Sequence, residues 1–259
     1  GEPGPQFDGI REDTFTFTPD GSRLTYWAWK GTKCLAVVDG EPGPEFDTFG
    51  TNTLTFSPDG SRVAYLATRD GKVFAVVDGE PGPGFDGVGE EAILFSPDGS
   101  RVAYVAWKGA KWSVVVDGEP GPEFDEIYRG RLVFSHRGNR VAYVAKKGDK
   151  DFVVVDGEPG PEFDGIVDGH PVFSPDGSRV AYVAQKGAKY LVVVDGEPGP
   201  EFDGIAVTTP VFSPDGSRVA YAAKKGAKYL VVVDGHAGPE VDDIAAGSLA
   251  FSPEGDTVN

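Results

Sequence analysis

The hydrophobic and polar positions follow one pattern that repeats along the chain. Each copy begins with an apolar run that ends in F-S-P-D-G-S-R. It continues with V-A-Y-V-A, K-G-x-K, V-V-V-D-G, E-P-G-P and E-F-D-G-I. The aspartate of V-V-D-G recurs every 39 residues, at Asp39, Asp78, Asp117, Asp156, Asp195 and Asp234. A strict period of this length is typical of an array of similar structural units.

Each unit predicts four short antiparallel strands, which we name a, b, c and d. S-P-D-G favours a tight hairpin between strand a, which ends there, and strand b, V-A-Y-V-A. After the K-G-x-K turn, three consecutive valines predict a strand c that is buried on both faces. The P-G-P corner lacks backbone donors and forces a reversal. Strand d, E-F-D-G-I, alternates apolar and acidic residues, which predicts a half-exposed outer strand.

Four such strands per unit predict an all-β fold, a β-propeller made of four-stranded antiparallel blades, with residues 1–259 as a single domain. F-S-P-D-G-S-R-V-A-Y followed by V-V-V-D-G resembles the TolB-type, WD-repeat-like propeller repeat over essentially the whole chain. Two copies of the turn motif depart from the pattern, S-H-R-G at 135–138 and S-P-E-G at 252–255. We expect both to keep the turn and to lose one side-chain contact. The resemblance implies a docking role in the bacterial envelope and a secreted or periplasmic location.

The strand inventory is uneven, with seven a and seven d strands but six complete b and c strands. We therefore expect seven blades, one of them incomplete and built from both termini. Residues 249–255 would be its innermost strand and residues 5–10 its outermost. Six blades are the alternative. The incomplete blade offers a route to oligomerisation, because unpaired strand edges invite association. The chain opens at Gly1 without a methionine, which indicates a processed N-terminus.

The net charge of −17 weighs against nucleic acids and anionic membranes as partners. No apolar stretch approaches the roughly 20 residues of a membrane helix, so we expect no membrane insertion. Most lysines fall in or beside the b–c turns, and most acidic residues fall in the c–d corners and strand d. This distribution predicts one basic and one acidic rim. Cys34, the one cysteine, lies in an apolar run and is expected to be a buried hydrophobic residue.

The sequence predicts no enzyme, no catalytic residue, no metal site and no cofactor. The three histidines lie in three different repeats, and no cysteine or histidine pair has metal-ligand spacing. Nucleophile and phosphate-binding motifs are also absent from the sequence. The aspartate of S-P-D-G is expected to cap its turn. The arginine and tyrosine of R-V-A-Y are expected to form ion pairs and packing contacts between blades.

Four positions between strands d and a differ in every copy. We call them the variable segments: residues 11–14, 50–53, 89–92, 128–131, 167–170, 206–209 and 245–248. Loops on a rigid scaffold usually carry binding residues, and we expect these segments to lie at a channel mouth beside the b–c turns. The leading interpretation is therefore a non-enzymatic scaffold that binds a protein or peptide through that face. The predicted partner-binding residues are Arg11, Glu12, Asp13, Asn52, Glu90, Glu91, Tyr128, Arg129, Arg131, Asp168, His170, Thr208 and Thr209.

Four alternatives remain open at this point. A lectin-like propeller would bind a glycan in each blade, and it would reuse the same polar and aromatic ligands. The chain could equally be the propeller domain of a larger hydrolase or lyase. A designed or recently amplified repeat protein would have no selected ligand. Neutral drift of unconstrained loops would also explain the variable segments.

Overall fold

The fold was derived from a computed structural model that describes residues 6–18, 20–50, 53–89, 93–206, 210–245 and 247–258. In these residues the fold is all-β, with six antiparallel sheets in succession and a single one-turn 3-10 helix, Glu12–Thr14. The chain divides into two compact units, Gly1–Glu123 and Phe124–Asn259, and each contains three of the sheets. The predicted fold class, a propeller of repeated antiparallel blades, is confirmed.

Strands b and c form the middle of every sheet and pair over nearly their full length. In the third sheet, Tyr104 lies opposite Val115, and both Ala103 and Val115 are completely buried. The b strands are Leu24–Lys30, Val63–Arg69, Val102–Lys108, Val141–Lys147, Val180–Lys186 and Val219–Lys225. The c strands are Lys33–Val38, Lys72–Val77, Lys111–Val116, Lys150–Val155, Lys189–Val194 and Lys228–Val233.

Strand d pairs with strand c at one edge of each sheet. The turn before it places two residues at positive φ, 53° at Asp39 and 90° at Gly40, which is the hairpin geometry that Asp-Gly favours. Past the Pro-Gly-Pro corner, strand d meets strand c again through single bridges such as Cys34 with Phe46. The regular parts of the d strands are Glu41–Pro42, Glu80–Pro81, Glu119–Pro120, Glu158–Pro159, Glu197–Pro198 and His236–Ala237.

Strand a lies at the opposite edge and pairs with strand b. In five sheets it consists of two pieces, which pair with the two ends of strand b. In the fifth sheet it is continuous, Gly165–Phe173, with a register shift between Val167 and Val172. The first pieces are Gly9–Ile10, Thr48–Phe49, Gly87–Val88, Glu126–Ile127 and Gly204–Ile205. The second pieces are Thr16–Phe17, Thr55–Phe56, Leu94–Phe95, Val133–Phe134 and Val211–Phe212.

The segment E-F-D-G-I, predicted to be strand d, is in fact divided between two sheets. Phe46 bridges strand c of the first sheet, whereas Thr48–Phe49 pairs with strand b of the second sheet. The chain therefore crosses between sheets at Asp47. Side chains alternate along a strand in the same way for either partner, so the pattern alone does not show where the crossing occurs.

Where the structure describes the whole variable segment, in the first and fourth repeats, that segment interrupts strand a instead of joining strands d and a beside the b–c turns. In the first sheet the gap between Gly9–Ile10 and Thr16–Phe17 faces the middle of strand b. In the fifth sheet the segment is itself part of the strand. The expected grouping of these segments with the b–c turns at one end of a sheet is wrong.

The assignment of residues 5–10 to an outermost strand is also wrong for the described residues. Gly9–Ile10 pairs with strand b of the first sheet and is the first piece of its strand a. Near the other end of the chain, Phe251 bridges Val258 in the register of Phe212 with Val219 one repeat earlier. The described residues thus form six sheets and the start of a seventh repeat.

Aromatic residues pack between consecutive sheets. Tyr104 in strand b contacts Phe85 from the preceding repeat edge-to-face, with ring centres 6.4 Å apart. The five repeated tyrosines from Tyr65 to Tyr221 are at most 3% exposed, which confirms their predicted core position. Cys34 is buried as predicted, and burial raises the pKa of its thiol.

Candidate functional site

The repeated arginine ties one sheet to the next. Arg62 Nε donates to Asp78 Oδ2 at 2.7 Å within its repeat, and Nη1 donates to the Ser100 carbonyl at 2.7 Å in the following repeat. Its guanidinium carbon also lies 5.7 Å from the centre of the Phe95 ring. The predicted contact between blades is confirmed, but the ion pair itself lies within one repeat. Equivalent hydrogen bonds occur at Arg23, Arg140, Arg179 and Arg218.

The aspartate of S-P-D-G caps its turn, as predicted. Asp59 Oδ1 accepts a hydrogen bond from Ser57 Oγ at 2.5 Å, and this bond is the main reason that the pKa of Asp59 is lowered to about 2. In the fourth repeat Arg137 replaces the aspartate, and Ser135 Oγ lies 2.9 Å from Asn139 Oδ1 instead. The turn itself is retained.

The predicted separation into a basic and an acidic rim is wrong. Lys72 Nζ lies 2.5 Å from Asp86 Oδ1, and Lys186 Nζ lies 3.1 Å from Glu201 Oε1. Strand d runs back antiparallel along strand c, so its acidic end returns to the level of the b–c turn lysines. The repeated charged residues therefore form structural pairs with each other.

In the first two repeats a threonine closes the variable segment. Thr14 Oγ1 donates to the Arg11 carbonyl at 2.7 Å and accepts from the Trp27 amide at 3.1 Å. Thr53 makes the equivalent bonds in the second repeat. The hydroxyl thus replaces a strand hydrogen bond where strand a is interrupted. Glu12, beside it, is exposed.

The fourth repeat holds its variable segment through a buried carboxylate. Tyr128 Oη donates to Asp151, at 2.9 Å from Oδ1 and 3.1 Å from Oδ2, and Asp151 is 6% exposed. Arg131 Nη1 donates to the Ile166 carbonyl at 2.7 Å, and its guanidinium lies 5.5 Å from the Tyr128 ring centre. Burial, reinforced by the Asp151 hydrogen bond, raises the pKa of Tyr128 to about 12. Two predicted site residues are thereby brought together.

The other predicted site residues are spread over several repeats. Arg129 and His170 are exposed, and the Arg11 guanidinium lies 5.7 Å from the Phe49 ring centre. Asp13 lies in the 3-10 helix and Asp168 in strand Gly165–Phe173, but their side chains lie outside the described part of the structure. The remaining predicted residues lie outside the described residues: Asn52, Glu90, Glu91, Thr208 and Thr209.

Two clefts lie between consecutive repeats, at positions where the sequence predicted only structural contacts. A cleft of about 510 Å³ between the second and third repeats is lined by Arg62, Asp78, Glu80, Ser100, Tyr104 and Asp117. A cleft of about 450 Å³ between the fifth and sixth repeats has the equivalent lining, Arg179, Asp195, Glu197, Ser217, Tyr221 and Asp234. We call these the junction clefts. Clefts of this size are in the range of small-molecule sites.

Asp151 was also missed by sequence reasoning, although a signal was present. Other repeats have Cys34, Val73 or an aromatic residue at this position, so Asp151 departs from the pattern in the same repeat as Tyr128. Among the residues that the structure describes, no group of three or more histidine, cysteine, aspartate or glutamate side chains could hold a metal ion. No helix in that part of the chain is long and apolar enough to cross a membrane.

The succession of similar four-stranded antiparallel sheets identifies the fold. It is a β-propeller fold of repeated antiparallel blades. No family model matches the chain, and no curated protein matches it.

Several solved structures are similar to the chain. A eukaryotic initiation factor matches with a TM-score of 0.47 and 16% identity, over 93% of this chain and 69% of that one. The Dos1 propeller matches with a TM-score of 0.40 and 11% identity, over 96% and 74%. TolB from Acinetobacter baumannii matches with a TM-score of 0.33 and 18% identity, over 74% of this chain and 53% of that one. At these values the similarity says nothing about what this chain binds.

Proposed function

We propose that this chain is a non-enzymatic propeller scaffold that binds an acidic peptide segment of a partner protein. The binding surface consists of the variable segments of the fourth and fifth repeats, around Tyr128, Arg129, Arg131 and His170. The observation that carries the proposal is the hydrogen bond from Tyr128 to the buried Asp151. This hydrogen bond holds the variable segment of the fourth repeat against the buried strand c, and Arg129, the residue after Tyr128, is exposed.

The repeated charged and aromatic residues have structural roles in every repeat. Repeated arginines and several lysines are held by aspartate partners, and repeated tyrosines are buried. Residues with such structural roles are poor candidates for selecting a partner. Arg129, Arg131 and His170 have no counterparts of the same type in the other repeats. Arginine side chains favour carboxylate ligands, because the guanidinium can bind a carboxylate through two hydrogen bonds.

A random peptide display library tests the proposal. Selection on the wild-type chain should enrich acidic peptides. Arg129→Ala with His170→Ala should weaken binding of the enriched peptides about tenfold or more, because hydrogen bonds to charged groups contribute roughly 1.5–3 kcal/mol each. Arg131 is left unchanged because it also holds the Ile166 carbonyl.

Glu158→Ala with Glu162→Ala is the matched control, since it changes two exposed charges in strand d of the same repeat. This control should bind the peptides as tightly as the wild type. Enrichment of peptides without acidic residues, or equal loss in the control, would refute the proposed surface.

A further inference from the structure

Aspartate followed by glycine recurs along the chain, above all in its turns. This pair is chemically labile, because the glycine amide nitrogen, which no side chain shields, can attack the aspartate carboxyl group. The attack requires a carboxyl group that is free to turn towards the main chain. A carboxylate that is held by hydrogen-bond donors resists it. The hydrogen bonds of the folded chain therefore decide which of these pairs reacts.

The aspartates of the c–d turns are all held in this way. Seven aspartates lie at positive φ, between 50° and 53°, and a glycine follows each of them. In six of them, which belong to the c–d turns, the carboxylate accepts two hydrogen bonds. Asp78 accepts from Arg62 Nε at 2.7 Å and from the Val63 amide at 2.9 Å. The other five are Asp39, Asp117, Asp156, Asp195 and Asp234.

Asp70, the seventh, lies in the b–c turn of the second sheet. It is exposed, and its carboxylate accepts no hydrogen bond from any described residue. Lys33 interacts with Asp70 only electrostatically, because its Nζ is bonded to Asp47. Within the described chain the Gly71 amide donates no hydrogen bond, and a Cβ atom added to Gly71 would meet no atom within 4 Å. Both reacting groups are therefore free, and the space around them is open.

The remaining aspartates that precede a glycine are also held, wherever their side chains are described. Asp59 accepts hydrogen bonds from Ser57 and from Ser61. Asp164 accepts from Lys150 Nζ at 2.6 Å and from the Gly187 amide at 2.6 Å. Comparable hydrogen bonds hold Asp8, Asp20, Asp86, Asp98, Asp176, Asp203 and Asp215.

We propose that Asp70 and Gly71 form a self-modification site, at which the folded chain converts Asp70 to isoaspartate. The Gly71 nitrogen bonds to Cγ of the protonated Asp70 carboxyl group and loses its proton, and the hydroxyl group leaves as water. Water then adds to the main-chain carbonyl carbon of the succinimide ring and opens the ring there. The water that was lost is regained, and nothing is oxidised or reduced.

The product changes the path of the main chain, which then runs through the side-chain carbons of Asp70. The b–c turn of the second sheet gains one main-chain carbon. A two-residue hairpin turn fixes the register of its strands, so the pairing of Arg69 with Lys72 is displaced.

The test is to age the folded wild-type chain at near-neutral pH and to locate isoaspartate by chymotryptic digestion and electron-transfer fragmentation. Isoaspartate at Asp70 should form roughly tenfold or more faster than at Asp78, because reaction at Asp78 must first break a hydrogen bond to a charged group. The chain aged in guanidinium chloride is the reference, since unfolding should bring the two rates close together.

Two variants test the cause. Arg62→Gln removes one donor to Asp78 and should raise isoaspartate there several-fold, without a change at Asp195. Asp70→Gly with Gly71→Ala gives the second b–c turn the Gly-Ala pair of the third, so this variant is expected to fold. Its total isoaspartate, measured with an isoaspartyl methyltransferase, should fall to a small fraction of the wild-type value.

Three results would overturn the proposal. The first is an unchanged total in the turn variant. The second is an equal rate at Asp70 and Asp78 in the folded wild type, or no isoaspartate at all. The third is an unchanged rate at Asp78 in Arg62→Gln.

Discussion

At the scale of single residues, the ring and the hydroxyl of the repeated tyrosine have opposite effects on the stability of the fold. Its ring is almost completely buried against a phenylalanine of the preceding repeat, as in the pair Phe163–Tyr182 with centres 6.3 Å apart. Its hydroxyl has no hydrogen-bond partner among the described residues. The ring therefore stabilises the fold, whereas the hydroxyl does not, and substitutions can separate the two.

Tyr182→Ala should lower the free energy of unfolding by roughly 3–5 kcal/mol, because it removes a buried aromatic ring and leaves a cavity. Tyr182→Phe keeps the ring and should change stability by less than about 1 kcal/mol. Denaturant unfolding of both variants measures the difference. Equal destabilisation by the two substitutions would show that the hydroxyl has a stabilising partner.

At the scale of structural elements, the a–b hairpin depends on an ionised aspartate. Hydrogen bonds from the neighbouring serines hold the pKa of Asp59, Asp176 and Asp215 at about 2, below the ordinary value of 3.8. A carboxylate whose pKa is lowered by folding stabilises the native state above its unfolded pKa. That stabilisation is lost as the pH falls through the folded value.

We therefore expect the melting temperature to fall between about pH 4 and pH 2, as these turns are protonated. Asp176→Asn should be less stable than the wild type at pH 7, and the difference should shrink towards pH 2. Glu158→Gln is the control, because it removes an exposed carboxylate outside the turns. A constant difference for Asp176→Asn across this range would argue against the turn aspartate as the cause.

Most of the elements could be predicted from the sequence, because proline, glycine and runs of valine mark their ends in every repeat. The crossing between sheets at Asp47 could not, since Phe46 and Thr48 alternate in the same way whichever sheet they join. Because this one boundary was misplaced, the predicted positions of the variable segments and of the charged rims were wrong. The junction clefts are formed by invariant residues, so variation along the chain could not reveal them.

At the scale of the whole molecule, the first repeat exposes aromatic side chains whose equivalents in later repeats are covered by an arginine. The strand-a phenylalanines Phe95, Phe173 and Phe212 each lie 5.6–5.7 Å from an arginine of the preceding repeat. Phe17, the equivalent residue, is 60% exposed, and Phe15 beside it is 47% exposed. The first sheet therefore presents an exposed apolar surface at Phe15 and Phe17.

Arg218 of the sixth repeat already lies 5.7 Å from the Phe251 ring centre, so it is not available to these rings. We therefore expect a second copy of the chain to cover Phe15 and Phe17 with the same apolar residues of its own. Sedimentation velocity should show a weight-average mass that rises with protein concentration. Phe17→Lys should suppress the rise, because it places like charges from both copies in the apolar contact. Leu94→Lys, which changes an exposed apolar residue of the third repeat, should leave it unaltered. A monomer at every concentration, or the same rise in Phe17→Lys, would show that this face does not receive a second copy.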